Sequence, residues 1–246
     1  MATISDLIGL LFPILNLHVD TLACHASQLR VAGYLPDEDE NLTAAEAATF
    51  LAVVAGARAP TEAVEAARVF TGLPLIGVED YYGNPAPGTV GGIVGRSRSF
   101  VAALEYSIDR ATQPGRTLDE PVTIGVLRNL RAPAALIALG RPAADGTRHE
   151  AWLIFAPPAS LSGDTASGAF SASSQRLHVW AYLPAVAIPL LGDLLAGRRD
   201  VAAEGCNARP GMAAVFNQRR GQVVQLPAPR SLRVAARVGR RLRGAK

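Results

Sequence analysis

Carboxylates run out before the chain does. Glu204 is the last acidic residue of the 246, and the 42 residues after it hold ten basic side chains and no Asp or Glu. Lysine is almost missing: Lys246 is the only one, so the positive charge is carried by arginine, a planar fork suited to phosphate. Two cysteines, Cys24 and Cys206, are too few for a disulfide scaffold. The four histidines, His18, His25, His149 and His178, lack ligand spacing, and Cys24 and His25 are neighbours that point apart on a helix, so no metal site is expected. No long apolar run survives inspection. The stretch 7–17 is too short to span a bilayer and follows Asp6 rather than a basic segment, and 183–195 is interrupted by Pro184, Pro189 and Asp193. A cytosolic protein that does not enter a membrane is the expectation. A Gly-x-Ser-x-Gly elbow, a Walker loop and a His-Glu-x-x-His pair are all missing, which argues against an enzyme and against a cofactor.

What is present is a segregated charge. The whole chain has a formal net charge of +3, yet its first 204 residues carry fourteen basic side chains against 21 acidic ones, a net of −7, and the remainder carries +10. An acidic body joined to a basic arm fits an anionic polymer as ligand, because each neutralised phosphate releases condensed counterions. Within the arm, Arg230, Arg233, Arg237, Arg240 and Arg241 recur at three- and four-residue steps, while Val234, Val238 and Leu242 recur at four. A helix over that stretch would carry an arginine face, with Arg219, Arg220 and Arg243 as further cations. Such a face suits a phosphate backbone, an acidic partner groove or an anionic surface.

Punctuation divides the rest. Helices are predicted over 4–17, bent or broken near Pro13, and from an Asp20 or Thr21 cap to Ala32, with Gly33 in the left-handed position that ends it. Thr43 with Glu46 forms a capping box that opens a helix over 44–55, and a fourth follows over 62–70. Residues 76–98, rich in Gly and Pro, read as a linker; the run Gly88 to Gly95 before Arg96 and Arg98 could cradle a phosphate but fits a linker better. A helix over 99–110 is followed by strands over 122–130, 134–139, 150–156 and 176–182, with a hairpin turn at Asp145-Gly146 and a closing helix over 184–197. Trp152, Trp180 and Tyr182 alternate within strands and read as sheet packing rather than a base-stacking platform. The fold class expected is α+β, in four parts: a helical, helix-turn-helix-like domain (1–75), a linker (76–98), an oligomerising domain with a small antiparallel sheet flanked by helices (99–204), and a basic tail (205–246).

The second helix carries the sharpest signal. Leu22, Ala26 and Leu29 share its inner stripe, leaving Gln28 and Arg30 to face outward, as in the recognition half of a helix-turn-helix. The run His25-Ala26-Ser27-Gln28-Leu29-Arg30-Val31-Ala32-Gly33-Tyr34-Leu35-Pro36, followed by Leu42-Thr43-Ala44-Ala45-Glu46-Ala47-Ala48-Thr49-Phe50-Leu51, resembles a module of phage-encoded proteins. Its pattern there is His-Ala-x-Gln-Leu-Arg-x-Ala-Gly-Leu-x-Pro, then Leu-Thr-x-x-x-Ala-Ala-x-x-Leu. The match covers residues 20–70, and the layout of the remainder is similar to small terminase subunits of tailed phages and gene-transfer particles. That resemblance implies an N-terminal helix-turn-helix, an oligomerising core and a C-terminal segment that meets the packaging motor. Duplex DNA, a large terminase or a portal or capsid protein are the partners it implies, with a homo-oligomer as the assembled form. One departure stands out. Where that module has a Gly- and Arg-rich loop, this chain has Asp37-Glu38-Asp39-Glu40, and four carboxylates repel phosphate. Two other readings stay open: a transcriptional regulator using the same helix-turn-helix, and a structural or adaptor protein of a phage-like particle.

Overall fold

The computed structural model describes residues 2–80, 98–113, 120–142, 148–157, 180–184 and 186–198. Among these, six α-helices and one five-stranded antiparallel sheet form a mixed fold with four of the helices at the N-terminal end. In chain order they are α1 (Ile4–Leu15), α2 (Val19–Val31), α3 (Ala44–Gly56), α4 (Ala63–Thr71), β1 (Leu75–Asp80), α5 (Phe100–Thr112), β2 (Glu120–Leu127), β3 (Ala135–Pro142), β4 (Arg148–Phe155), β5 (Trp180–Pro184) and α6 (Ala187–Leu195). None of these helices is long and apolar enough to cross a membrane.

Local chemistry sets the helix ends. Thr3 and Asp6 cap α1 reciprocally, the Thr3 N–H donating to Asp6 Oδ2 at 2.9 Å and the Asp6 N–H to Thr3 Oγ1 at 3.3 Å. Pro13 lies inside this helix, so of the bend or break expected there the break does not occur. It sits three residues before Asn16, whose left-handed φ of 52° does the ending; a proline so near the C-terminus forgoes only one ladder bond. His18, rather than Asp20 or Thr21, caps α2. At its far end Gly33 adopts φ 75°, its N–H donates to the Arg30 carbonyl at 2.9 Å, and the Tyr34 N–H reaches the Leu29 carbonyl at 2.9 Å. This is a Schellman closure, and it needs the residue without a Cβ. Thr43 and Glu46 form the expected capping box of α3, at 2.7 and 3.3 Å.

Helix α3 is the centre of the molecule. Every residue from Ala47 to Ala57 is buried. Its alanines let neighbours approach from all sides, and it packs on α2, α4, α5, α6, β2 and β5. Thr49, a polar residue in that interior, is satisfied by donating to the Ala45 carbonyl at 2.8 Å.

The sheet order is β1-β4-β3-β2-β5. Alternation along each strand sends Ile124, Val126, Ile137, Leu139, Leu153, Phe155 and Leu183 into the main core with the helices, whereas Leu136, Ala138 and Trp152 form a separate small cluster. The sheet thus has one helix-covered face and a second apolar patch on its other face. Phe70 of α4, Phe100 of α5 and Phe155 of β4 stack edge to face, with centroids 6.1 and 5.5 Å apart. One core therefore runs through the stretches expected as separate helical and sheet domains, and no break falls at residue 75.

The linker reading needs correction at its start. Residues 75–80 are strand β1, paired antiparallel with β4 and irregular between Leu75 and Gly77. Leu75 and Val78 pack on the core, and that apolar contribution outweighs the single glycine of the strand. The other end is also held: the Phe100 N–H donates to the Leu73 carbonyl at 2.9 Å. Residues 81–97, the Asp145-Gly146 turn, positions 176–179 and the tail from 205 lie outside the described residues.

Candidate nucleic-acid interface

Helices α1 and α2 are joined by three residues, Asn16 to His18, a connection of helix-turn-helix length. In α2, Leu22, Ala26 and Leu29 are buried, as the apolar stripe requires. Gln28 is exposed, and Ala23, Cys24, Ser27 and Val31 are exposed with it; Val31 is 88% accessible.

Arg30 departs from the expectation of a free outward cation. Its side chain is only 28% accessible, and its Nη1 is hydrogen-bonded and ion-paired to Glu38 Oε1. Sequence reasoning treated the acidic loop as a repulsive neighbour of the helix. The Schellman turn at Gly33 instead folds that loop back on α2, so that Glu38 neutralises the one cation of the helix. Asp37 and Glu40 close the loop on each other, the Asp37 N–H donating to Glu40 Oε2 at 3.3 Å and the Glu40 N–H to the Asp37 carbonyl at 3.1 Å. The outer surface of α2 consequently offers amide, hydroxyl, thiol and methyl groups, with no unpaired guanidinium. Beside it, Phe12, Pro13, Asn16, Leu17, His18 and Val19 line an open groove of about 330 Å³.

His25 faces the opposite way, into the protein. It is buried, and its Nδ1 has no hydrogen-bond partner. Burial, and then the nearby Arg128 charge, hold its imidazole below the usual histidine range. Cys24 is exposed on the outer face. No three His, Cys, Asp or Glu side chains among the described residues are grouped to hold a metal.

The structure thus brings together only two of the sequence-derived site residues, Gln28 and Arg30. Arg219, Arg220, Arg230, Arg233, Arg237, Arg240, Arg241 and Arg243 lie outside the described residues. It also assembles a group that sequence reading missed. Arg128, just after β2, donates from Nε to the Ala55 carbonyl of α3 at 2.9 Å, and Arg58, just after α3, donates from Nε to the Arg128 carbonyl at 2.9 Å. Some seventy residues separate the partners, so no local pattern could have paired them.

No protein-family model matches the chain, and no curated protein or solved structure is detectably similar to it.

Proposed function

We propose that this is a non-enzymatic, nucleic-acid-associated protein of phage type, a packaging factor similar to small terminase subunits. The observation that carries the reading is the charge segregation: ten cations and no carboxylate after Glu204, on a body of net −7. The arm supplies sequence-independent grip on phosphates. The α1–α2 pair, with its three-residue connection and exposed Gln28, supports a helix-turn-helix-like module.

A second reading draws on the Arg30–Glu38 pair. An α2 surface without a free cation, bordered by the apolar groove at Phe12 and Val19, suits a protein partner better than a phosphate backbone. In that version the arm holds DNA while the helical end docks on a portal, capsid or motor protein.

Fluorescence anisotropy with a labelled duplex tests both. The full chain is expected to bind, and a chain ending at Glu204 to bind more weakly, with a log–log salt slope several units shallower at about 0.9 per lost phosphate contact. Equal slopes for the two would refute the role given to the arm.

A further inference from the structure

The described arginines differ in what holds their side chains. Arg30, Arg68 and Arg198 each pair with a carboxylate, Glu38, Glu65 and Asp193. Arg198 uses its whole fork, donating to Asp193 Oδ1 at 2.9 Å and to the Thr112 and Ala111 carbonyls at 2.6 and 2.8 Å. Arg58 and Arg128 are different. Each donates only its inner Nε, at 2.9 Å, to a carbonyl at the junction of α3 with the sheet. Their outer Nη groups meet no acceptor among the described residues.

This junction is held by hydrogen bonds. Ala55 and Arg58 flank the end of α3, whose carbonyl Arg128 caps, and the two reciprocal bonds clasp α3 to the end of β2. The β2–β3 connection is pinned by the Leu127 N–H to the Ala134 carbonyl at 2.9 Å and the Ala132 N–H to the Asn129 carbonyl at 3.1 Å. That turn also holds Arg131, whose own N–H donates to Asn129 Oδ1 at 3.2 Å and whose exposed guanidinium has no carboxylate partner. His25, buried with an unpartnered Nδ1, lies within reach of the Arg128 charge. Opposing charge comes from Glu62, whose Oε2 accepts the Arg58 backbone N–H at 2.8 Å, and from the carbonyl end of the α3 dipole.

We propose that Arg58, Arg128 and Arg131 form a binding site for a phosphate group. The forks of Arg58 and Arg128, each anchored by its Nε–H with the outer donors free, are preorganised for an oxyanion, and Arg131 adds an exposed cation from the adjoining turn. A carboxylate has two oxygens and is satisfied by a single fork. A phosphate offers more acceptors in a tetrahedral array and can engage several forks together. The phosphate belongs to a nucleic-acid backbone or to a small free phosphate; the site stands independently of the packaging reading.

The test uses the full chain in two arms, labelled duplex DNA across a salt series and pyrophosphate by titration calorimetry. Variants are Arg131→Gln, which leaves the clasp untouched, and the Arg58→Gln/Arg131→Gln pair, with Arg58→Lys/Arg131→Lys restoring charge. If the ligand is a nucleic acid, the salt slope falls by roughly 0.9 for Arg131→Gln and about twice that for the pair. If it is a small phosphate, the slope is unchanged, but pyrophosphate affinity drops more than about tenfold and the Lys pair regains much of it. A parent chain that binds neither probe, or an Arg131→Gln variant that matches the parent in both arms, overturns the site.

Discussion

At the scale of single residues, the meaning of a charge depends on what folds against it. Arg30 has helix-face spacing suited to a groove, but the loop that follows it brings Glu38 onto its guanidinium. Glu38 is exposed and the pair is reached by solvent, so it contributes only some 0.2–1 kcal/mol to stability. Its main effect is to cancel a cation. Glu38→Gln is therefore expected to leave the melting temperature within a few degrees and to tighten duplex binding a fewfold at low salt. Arg30→Ala is expected to weaken binding with stability equally intact. Anisotropy and thermal melts check both, and unaltered affinity in both variants would remove α2 from the interface. His25 gives a second residue-level prediction. Its folded pKa is lowered, so below the ordinary value of about 6.5 the unfolded chain binds a proton that the folded chain resists. The stability of the fold should fall as pH drops through that value and level off below the depressed folded pKa. Urea unfolding at a series of pH values should show this slope in the parent and a flatter one in His25→Leu; parallel curves would contradict it.

At the scale of elements, the Thr43–Glu46 capping box and the glycine closure at Gly33 are legible because each is written within a few residues. Thr43→Ala is expected to cost about 1 kcal/mol in denaturant unfolding, since it leaves an end of the central helix uncapped. Strand β1 is not legible, because its partners in β4, from Leu75↔Phe155 to Asp80↔Ala151, lie 71 to 80 residues further on. The burial of α3 on all sides was hidden for a related reason: its alanines are compatible with one buried face or with several, and only the packing of α5, α6 and the sheet decides. The candidate site was legible only in part. Gln28 and the inner stripe of α2 follow from helical spacing, whereas the Arg30–Glu38 pair and the Arg58–Arg128 clasp arise from folding back. Close approach of elements is similarly invisible in a string of letters. Gly192 of α6 packs so tightly on α5 that a Cβ there would stand 2.4 Å from Ala111 Cβ and 2.6 Å from its carbonyl carbon. Helix propensity favours Gly192→Ala by up to about 1 kcal/mol, but the obstacle is backbone and cannot rotate away. The variant should be destabilised by roughly 1–3 kcal/mol, and a stabilised Gly192→Ala in urea unfolding would mean that the two helices sit farther apart.

At the scale of the whole molecule, the question is what a one-core body with a basic arm does in company. The sheet ends in two edge strands, β1 and β5, and a sheet edge is a row of backbone donors and acceptors with which a further strand can pair. Its face away from the main core carries the Leu136, Ala138 and Trp152 cluster, where Trp152 Nε1 is buried without a hydrogen-bond partner. Backbone edges of a sheet are what a symmetric neighbour can extend. Assembly would also place several arms around one DNA, and binding would then tighten through effective concentration rather than through new contacts. A homo-oligomer is therefore expected, with light scattering of the full chain giving a multiple of 25.7 kDa at micromolar concentration. The sheet region alone would be a poor test, because removing the first 98 residues strips α3 from the core and exposes the surfaces it covers on α5, β2 and β5. The chain ending at Glu204 keeps that core and loses only the arm. It should retain the multiple while its DNA affinity falls, which separates assembly from grip. A full chain that stays at 25.7 kDa across the micromolar range would remove the oligomer, and with it any packaging scheme that relies on a ring of arms; the single arm would then have to hold DNA by its ten cations alone.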